Sequence, residues 1–242
     1  MIALVDGDII AYRCAASCEP TKNKPQLESR DDAISRLENL MQDVVHDTLS
    51  DQYRCFLGGS NNFRKKIAET YKATRTTPAP TYLADCKQYL VEHWSAELAD
   101  NCEADDLLGI AQTEQRDSES IICSIDKDLL QVPGWHYNFV KLEQQKVTEH
   151  QGWVNFFTQM ILGDKSDNVM GYDGKARPVP PQFLIPKLTD LKHLEPEDMF
   201  VHVWDMYDDK EQFKTNYKLL WIWRQPDDQH DFLKQQLERV RQ

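Results

Sequence analysis

The sequence predicts an α/β fold with a mainly parallel central sheet flanked by helices, and three observations support this prediction. The chain begins with a short apolar strand that starts at Ile2 and ends in Asp6. An amphipathic helical pattern over residues 28–50 leads to a second strand, Tyr53–Leu57, in the order of a parallel βαβ unit. A later apolar run, Ile121–Ile125, is typical of a buried parallel strand.

The positions of prolines and glycines and the periodicity of apolar residues predict the remaining elements. Residues 76–80 contain two prolines that break any helix, and a helical pattern then runs from about 82 to 94. A strand is expected at 135–141 and a helix at 151–162, followed by a loop over 171–186 with two glycines and four prolines. Helical patterns resume at 197–207, 212–223 and 228–241. We therefore expect an α/β core over residues 1–148, with a projecting arch at about 60–94, and a helical region over 149–242.

Composition restricts the class of protein. The chain has 28 basic and 40 acidic residues, a formal charge of −12, which argues against a nucleic-acid binder unless acid and base are segregated. Six cysteines form no CxxC pair and no zinc-ligand spacing, so they are expected to be reduced packing residues. No apolar run reaches membrane-spanning length and no signal peptide is evident, which predicts an intracellular, cytoplasmic protein that contacts no membrane.

Carboxylates follow several of the predicted strands. Asp6 ends the first strand, Asp126 and Asp128 follow the run at 121–125, and a third acidic group precedes a helical pattern. That third group consists of Glu103, Asp105 and Asp106. Acid clusters at the carboxyl edge of one parallel sheet repel each other unless a cation lies between them, and oxygen ligands favour Mg²⁺ or Mn²⁺. The alternative interpretation is an ordinary helix N-cap and a solvated loop.

Two further segments carry candidate functional residues. Asp164 and Asp167 lie three residues apart in a Gly-Asp turn and are candidate oxygen ligands, although a helix C-cap with an Asx-turn explains them equally well. Residues 64–75 carry five basic residues against one acidic, which indicates a phosphate-contacting surface in which Tyr71 stacks on a base. The alternative is a lysine-rich, solvated helix face.

Taken together, these motifs resemble the flap endonuclease and 5′-3′ exonuclease family, whose fold is PIN-like. The resemblance rests on Asp6, on the run from Phe63-Arg64 to Arg75, on Glu103-Ala-Asp105-Asp106, on Asp126-Lys-Asp128, and on residues 163–168, and it covers about residues 1–172 in order. It extends most to compact phage-encoded members and to the nuclease domain of bacterial family A DNA polymerases, which implies the host cytoplasm for a phage-encoded protein.

The resemblance implies a metal-dependent nuclease that hydrolyses DNA at 5′ ends, flaps or nicks, and RNA–DNA hybrids as a further substrate. Two or more Mg²⁺ or Mn²⁺ ions would be held beside the scissile phosphate, with K⁺ in a helix-turn-helix-like element from about Gln151 onward that grips the duplex. The implied metal ligands are Asp6, Glu103, Asp105, Asp106, Asp126, Asp128, Asp164 and Asp167. The implied catalytic residues are Lys72, Arg75, Asp105 and Asp126, and the implied DNA contacts are Arg64, Lys65, Lys66, Tyr71, Lys72 and Arg75.

The sequence departs from the family pattern in two places. Members usually carry an aspartate near the end of the second strand, whereas residues 56–62 contain no carboxylate, so that one metal has fewer acid ligands or uses the amide of Asn61. The hairpin after Asn168 is also altered. Two alternatives therefore remain open, a non-catalytic protein that binds branched DNA and a PIN-type ribonuclease.

Overall fold

A computed structural model of the chain describes residues 1–74, 76–115 and 119–240. The strands are β1 (Ile2–Asp6), β2 (Gln52–Leu57), β3 (Glu97–Leu98), β4 (Ser120–Cys123), β5 (Gly134–Asn138), β6 (Glu143–Val147), β7 (Gly163–Asp164) and β8 (Val169–Met170). The helices are α1 (Gly7–Ser17), α2 (Arg30–Asp47), α3 (Phe63–Ile67), α4 (Leu83–Trp94), α5 (Ala104–Glu114), α6 (Glu149–Leu162), α7 (Ile185–Leu191), α8 (Pro196–Met206), α9 (Lys210–Leu220) and α10 (Asp231–Arg239).

The central sheet has the strand order β3-β2-β1-β4-β5-β6. The pairs β1–β2, β1–β4, β2–β3 and β4–β5 are all parallel, with Asp6 opposite Phe56 and Val5 opposite Cys123. The mainly parallel α/β fold predicted from sequence is thereby confirmed. Because β1 to β5 run in one direction, their carboxyl ends share one edge of the sheet.

The chain forms two compact units whose segments alternate along the sequence. The first comprises Met1–Asn62, Thr77–Leu129 and Gly134–Lys146, and the second comprises Phe63–Thr76, Leu130–Pro133 and Val147–Gln242. The longest stretch of the second unit begins at Val147. Of the arch expected at about 60–94, residues 63–76, which include the short helix α3, belong to the second unit, and residues 77–94 belong to the first.

The core of the first unit is built from β1, β2 and β4 and the helices that cover them. Ala3 and Val5 of β1 are fully buried, as are Ile10 on α1 and Leu37 on α2. All six cysteines belong to this unit, and each is buried and outside any disulfide in the described part of the chain, as expected of reduced packing residues. Burial raises the pKa of the Cys14 thiol to about 12 and that of the Cys86 thiol to about 11.

Aromatic side chains dominate the core of the second unit. The Phe156 ring on α6 lies 4.8 Å from the Tyr217 ring and 5.1 Å from the Trp221 ring, both edge to face. The Phe200 ring on α8 packs 5.1 Å from Phe213 on α9. Such pairs contribute about 0.5–1.5 kcal/mol beyond the stabilisation that comes from the area they bury.

None of the described helices combines the length and apolar character that crossing a bilayer requires.

Candidate functional site

Asp6 stands at the carboxyl end of β1 and also caps the next helix. Its Oδ1 accepts a hydrogen bond from the Ile9 N–H at 3.1 Å, which satisfies one of the free donors at the start of α1. Only 2% of the residue is exposed. The first strand therefore places a nearly desolvated carboxylate at the edge where ligands of parallel α/β sheets bind.

A serine connects Asp6 to the acids that follow β4. The Ser124 hydroxyl donates to Asp6 Oδ2 at 2.7 Å and accepts from the Asp126 N–H at 3.0 Å. The Asp128 N–H in turn donates to Asp126 Oδ1 at 2.9 Å. Ser124 holds the predicted strand-end acids in one hydrogen-bonded chain, a role that the sequence analysis missed although the residue lies within the Ser-Ile-Asp-Lys-Asp motif.

The electrostatic surroundings of Asp6 favour its protonated form. Burial is the largest cause and raises the pKa of Asp6 to about 7, while the bonds from Ser124 and Ile9 act in the opposite direction. The nearby carboxylates of Asp8 and Asp126 raise the pKa further. A cation at this edge would relieve both the desolvation and the repulsion.

The acids before α5 form a helix cap. Glu103 is the N-cap residue, its side chain accepts from the backbone N–H of Asp106, and Asp106 Oδ2 accepts from the Glu103 N–H at 2.8 Å. Asp106 is fully buried, and Asp105 lies beside it in the first turn. The capping interpretation is thus correct for Glu103 and Asp106. Since β3 runs parallel to β2, the segment that leads from β3 into this cap leaves from the same sheet edge as Asp6.

A second carboxylate that the sequence analysis did not select also lies at this edge. Asp8 Oδ2 accepts the Gly58 N–H at 2.8 Å, and Asp8 Oδ1 lies 2.6 Å from Lys87 Nζ. Gly58 comes directly after β2, in the stretch without acids, and a Cβ there would lie 2.7 Å from Asp8 Oδ2. Asp8 therefore brings a carboxylate to the end of β2. Asn61, the residue considered as a substitute ligand, instead directs its amide nitrogen toward Asp100 Oδ1 at 3.4 Å.

In the second unit, Asp164 and Asp167 lie on a tight hairpin. Gly163 is the C-cap of α6 with φ of 71°, and a Cβ there would lie 2.4 Å from the Gly171 nitrogen, so only glycine fits. Asp164 Oδ1 accepts from the Ser166 hydroxyl at 2.5 Å and from the Asp167 N–H at 2.9 Å. The predicted C-cap and local side-chain turn are both present.

The base of the basic segment is attached to this hairpin. The Tyr71 hydroxyl donates to Asp167 Oδ2 at 2.7 Å, and the Lys72 N–H donates to the Asp167 carbonyl at 2.9 Å. Lys72 Nζ lies 3.7 Å from Asp167 Oδ2 and 5.0 Å from the centre of the Tyr71 ring. The hairpin therefore orders the chain around Lys72.

The structure corrects two of the expected nucleic-acid contacts. Arg64 is 2% exposed, and its guanidinium donates to the carbonyls of Leu219 and Trp221 at 2.8 and 2.7 Å. It thereby supplies hydrogen-bond donors to backbone carbonyls at the C-terminal end of α9. Tyr71 is 4% exposed, so its ring offers no face to a base. Lys65 and Lys66 are exposed, as the expectation requires. Arg75 lies outside the described residues.

Within residues 1–74, 76–115 and 119–240, no group of three or more His, Cys, Asp or Glu side chains is arranged so that it could hold a metal ion. The arrangement at the sheet edge is nevertheless rich in hard oxygen donors, and the desolvated Asp6 carboxylate has two like charges beside it. Those donors suit Mg²⁺ or Mn²⁺ better than a soft metal.

Comparisons with known proteins agree with this architecture. Flap endonuclease Xni of Shewanella piezotolerans is 31% identical over 134 residues, 48% of this chain and 51% of the relative. The chain thus matches about half the length of that curated relative.

Two solved structures from phage T5 share the fold. The D15 protein co-crystallised with metal ions has a TM-score of 0.65 at 15% identity, over 98% of each chain. The D15 flap endonuclease in a pseudo-enzyme–product complex with DNA and metal ions has a TM-score of 0.53 at 15% identity, over 100% of this chain and 99% of that one. The sequence model described as the N-terminal resolvase-like domain of 5′-3′ exonucleases matches residues 1–158. Since that match spans more than half of the chain, the protein belongs to the 5′-3′ exonuclease family.

Proposed function

We propose that the protein is a metal-dependent 5′-nuclease that hydrolyses DNA phosphodiesters at 5′ ends, flaps and nicks. The observation that carries this proposal is the hydrogen-bonded chain Asp6–Ser124–Asp126 at the carboxyl edge of the parallel sheet. Family membership supplies the reaction class, and the phage T5 flap endonuclease, crystallised in a complex with DNA and metal ions, supports the choice of substrate and cofactor.

The acids of the first unit would hold the metal through carboxylate oxygens. We assign this role to Asp6, Glu103, Asp105, Asp106, Asp126 and Asp128. For Asp164 and Asp167 the ligand role stays a prediction from the family resemblance. Bound Mg²⁺ or Mn²⁺ ions would neutralise the phosphodiester and activate a water molecule for hydrolysis. Ser124 keeps Asp6 and Asp126 oriented, and α1 keeps Asp6 at the edge by using it as a cap.

Lys72 is the proposed phosphate contact of the second unit. Its backbone has φ of 56° and is fixed by the Asp167 carbonyl, so its side chain starts from a defined position. Arg75 keeps the role that the resemblance gives it. A cation near the scissile phosphate stabilises the charge that develops there.

Cleavage assays with 5′-labelled flap, nicked, gapped and RNA-primed duplexes test the proposal. With Mg²⁺ or Mn²⁺ we expect short 5′ products from the wild type, none in EDTA, and none from Asp126→Ala. The matched control is Asp43→Ala, which removes an exposed acid on α2 and should cut like the wild type. Binding without cleavage at every metal concentration would instead establish the branched-DNA-binding alternative, which the lack of an acidic residue in residues 56–62 favours. Faster cleavage of RNA than of DNA flaps would establish the ribonuclease.

A further inference from the structure

Helix α4 carries a cation to the acidic edge of the first unit. Lys87 Nζ lies 2.6 Å from Asp8 Oδ1, and Asp8 is two residues beyond Asp6. The other oxygen of Asp8 is held by the Gly58 N–H at 2.8 Å, just past the end of β2. The ammonium group therefore lies near the carboxyl ends of β1 and β2, on the side of the sheet where Asp6 stands.

The framework around this ion pair is rigid. On α4 the neighbouring Cys86 and the next-turn Leu90 are fully buried in the core of the first unit, so the helix that bears Lys87 is fixed. The carboxylate is held as well, because Asp8 lies in the first turn of α1 and its Oδ2 accepts the Gly58 N–H at 2.8 Å. Both partners of the ion pair thus start from anchored backbone.

Stability alone does not account for the pair. The side chains of Lys87 and Asp8 are 36% and 34% exposed, and pairs with this much access to water contribute about 0–1 kcal/mol. An ammonium group has three N–H donors, and in the part of the chain that the structure describes Asp8 is the one ionic partner of Lys87. Donors therefore remain for an anion that approaches from solvent.

We propose that Lys87 binds a backbone phosphate of the nucleic-acid strand at this edge, and that Asp8 orients its ammonium group for that contact. This inference rests on the proposed nuclease function. A nucleic-acid strand that approaches this edge is repelled by the carboxylates there and by the net charge of −12 on the chain. A fixed cation at the edge offsets that repulsion locally and gives one phosphate a defined position.

The test is the salt dependence of DNA binding. Dissociation constants for a 5′-flap duplex would be measured in EDTA over a range of KCl concentrations, for the wild type and four variants. A plot of the logarithm of the association constant against the logarithm of the salt concentration has a negative slope. Loss of one phosphate contact makes that slope less steep by about 0.7–0.9, which corresponds to roughly five- to eight-fold weaker binding at 0.1 M salt. We expect this change for Lys87→Ala and recovery of the slope for Lys87→Arg. Asp8→Asn should keep the slope because the ammonium remains, but it should bind more weakly than the wild type at each salt concentration because the ammonium has lost the carboxylate that orients it; wild-type affinity would overturn the role of Asp8. Lys22→Ala, which removes an exposed lysine elsewhere, should match the wild type in slope and affinity.

The outcomes separate this inference from the proposed function. A wild-type slope for Lys87→Ala, in a protein that binds and cuts DNA, would overturn the role of Lys87 and leave the nuclease proposal standing. A lower melting temperature for Lys87→Ala with an unchanged slope would show a purely structural ion pair. Absence of any DNA binding or cleavage by the wild type would refute the nuclease proposal itself.

Discussion

Replacing Asp6 by asparagine should stabilise the metal-free protein while removing its nuclease activity. The substitution keeps the shape of the side chain, and its oxygen can still accept the Ile9 N–H that caps α1. It removes a carboxylate that is only 2% exposed and has Asp8 and Asp126 as like-charged neighbours. The cost of ionising this group in the folded state disappears with it.

The magnitude follows from the pKa of Asp6, which burial raises from 3.8 to about 7. At about 1.4 kcal/mol per pKa unit, the ionised form costs on the order of 4 kcal/mol as an upper limit. Between pH 3.8 and about 7 the folded protein holds a proton that the unfolded chain has released. The stability contributed by protonated Asp6 is therefore complete below pH 3.8 and is lost as the pH rises to about 7.

Urea denaturation in EDTA at pH 5 and pH 8.5 measures this effect. We expect Asp6→Asn to be more stable than the wild type at pH 8.5 and the difference to shrink at pH 5. Asp43→Asn, which neutralises an exposed acid on α2, should change neither value by more than about 0.5 kcal/mol. If Asp6→Asn were less stable than the wild type at pH 8.5, the carboxylate would not be under electrostatic strain and the reasoning would be wrong.

Three further substitutions test individual contacts. Asp126→Ala should abolish cleavage yet retain DNA binding in EDTA, because removing an acid lowers repulsion toward phosphate. Gel-shift and cleavage assays on one preparation measure both properties. Retained cleavage would contradict a metal-binding role for Asp126. Arg64→Met should lower the free energy of unfolding by about 2–4 kcal/mol, since two buried carbonyls lose their donor, with no change in the salt slope of DNA binding. Tyr71→Phe should cost about 1 kcal/mol in thermal unfolding through the lost bond to Asp167, and an unchanged melting temperature would show that this bond contributes nothing.

The parts of the fold that the sequence predicts are those with strong local periodicity. Apolar strands such as β1 and β4 are buried along almost their whole length, and the amphipathic α2 buries one face, so each has a pattern that the sequence alone displays. Since the carboxyl ends of parallel strands meet at one edge of the sheet, the sequence alone predicts that acids at those ends lie at the same edge. Helix α1 was not predicted, although Asp6 as its cap and the buried Ile10 and Cys14 carry the usual signal. Strand β6 is polar at four of its five positions and has no such signal.

The destinations of individual polar side chains could not be predicted. Arg64, Lys65 and Lys66 are equivalent in a charge count, yet Arg64 is buried against carbonyls more than 150 residues away in the chain while the two lysines face solvent. Asp8 and Lys87 meet because α1 and α4 pack on the same side of the sheet, a contact that no local spacing encodes. Burial and pairing are properties of the packed molecule, so charge runs predict a surface only on average.

Cysteines and tryptophans are distributed unequally between the two units, so thiol reactivity and tryptophan fluorescence report mainly on different units. Every thiol is shielded within the first unit, whereas four of the six tryptophans, Trp153, Trp204, Trp221 and Trp223, belong to the second. A colorimetric or mass-tagging reagent for sulfhydryls would follow the opening of one unit, and indole fluorescence would follow mainly the other. Native-state kinetics of both can therefore be recorded on the unaltered chain, without introducing a label.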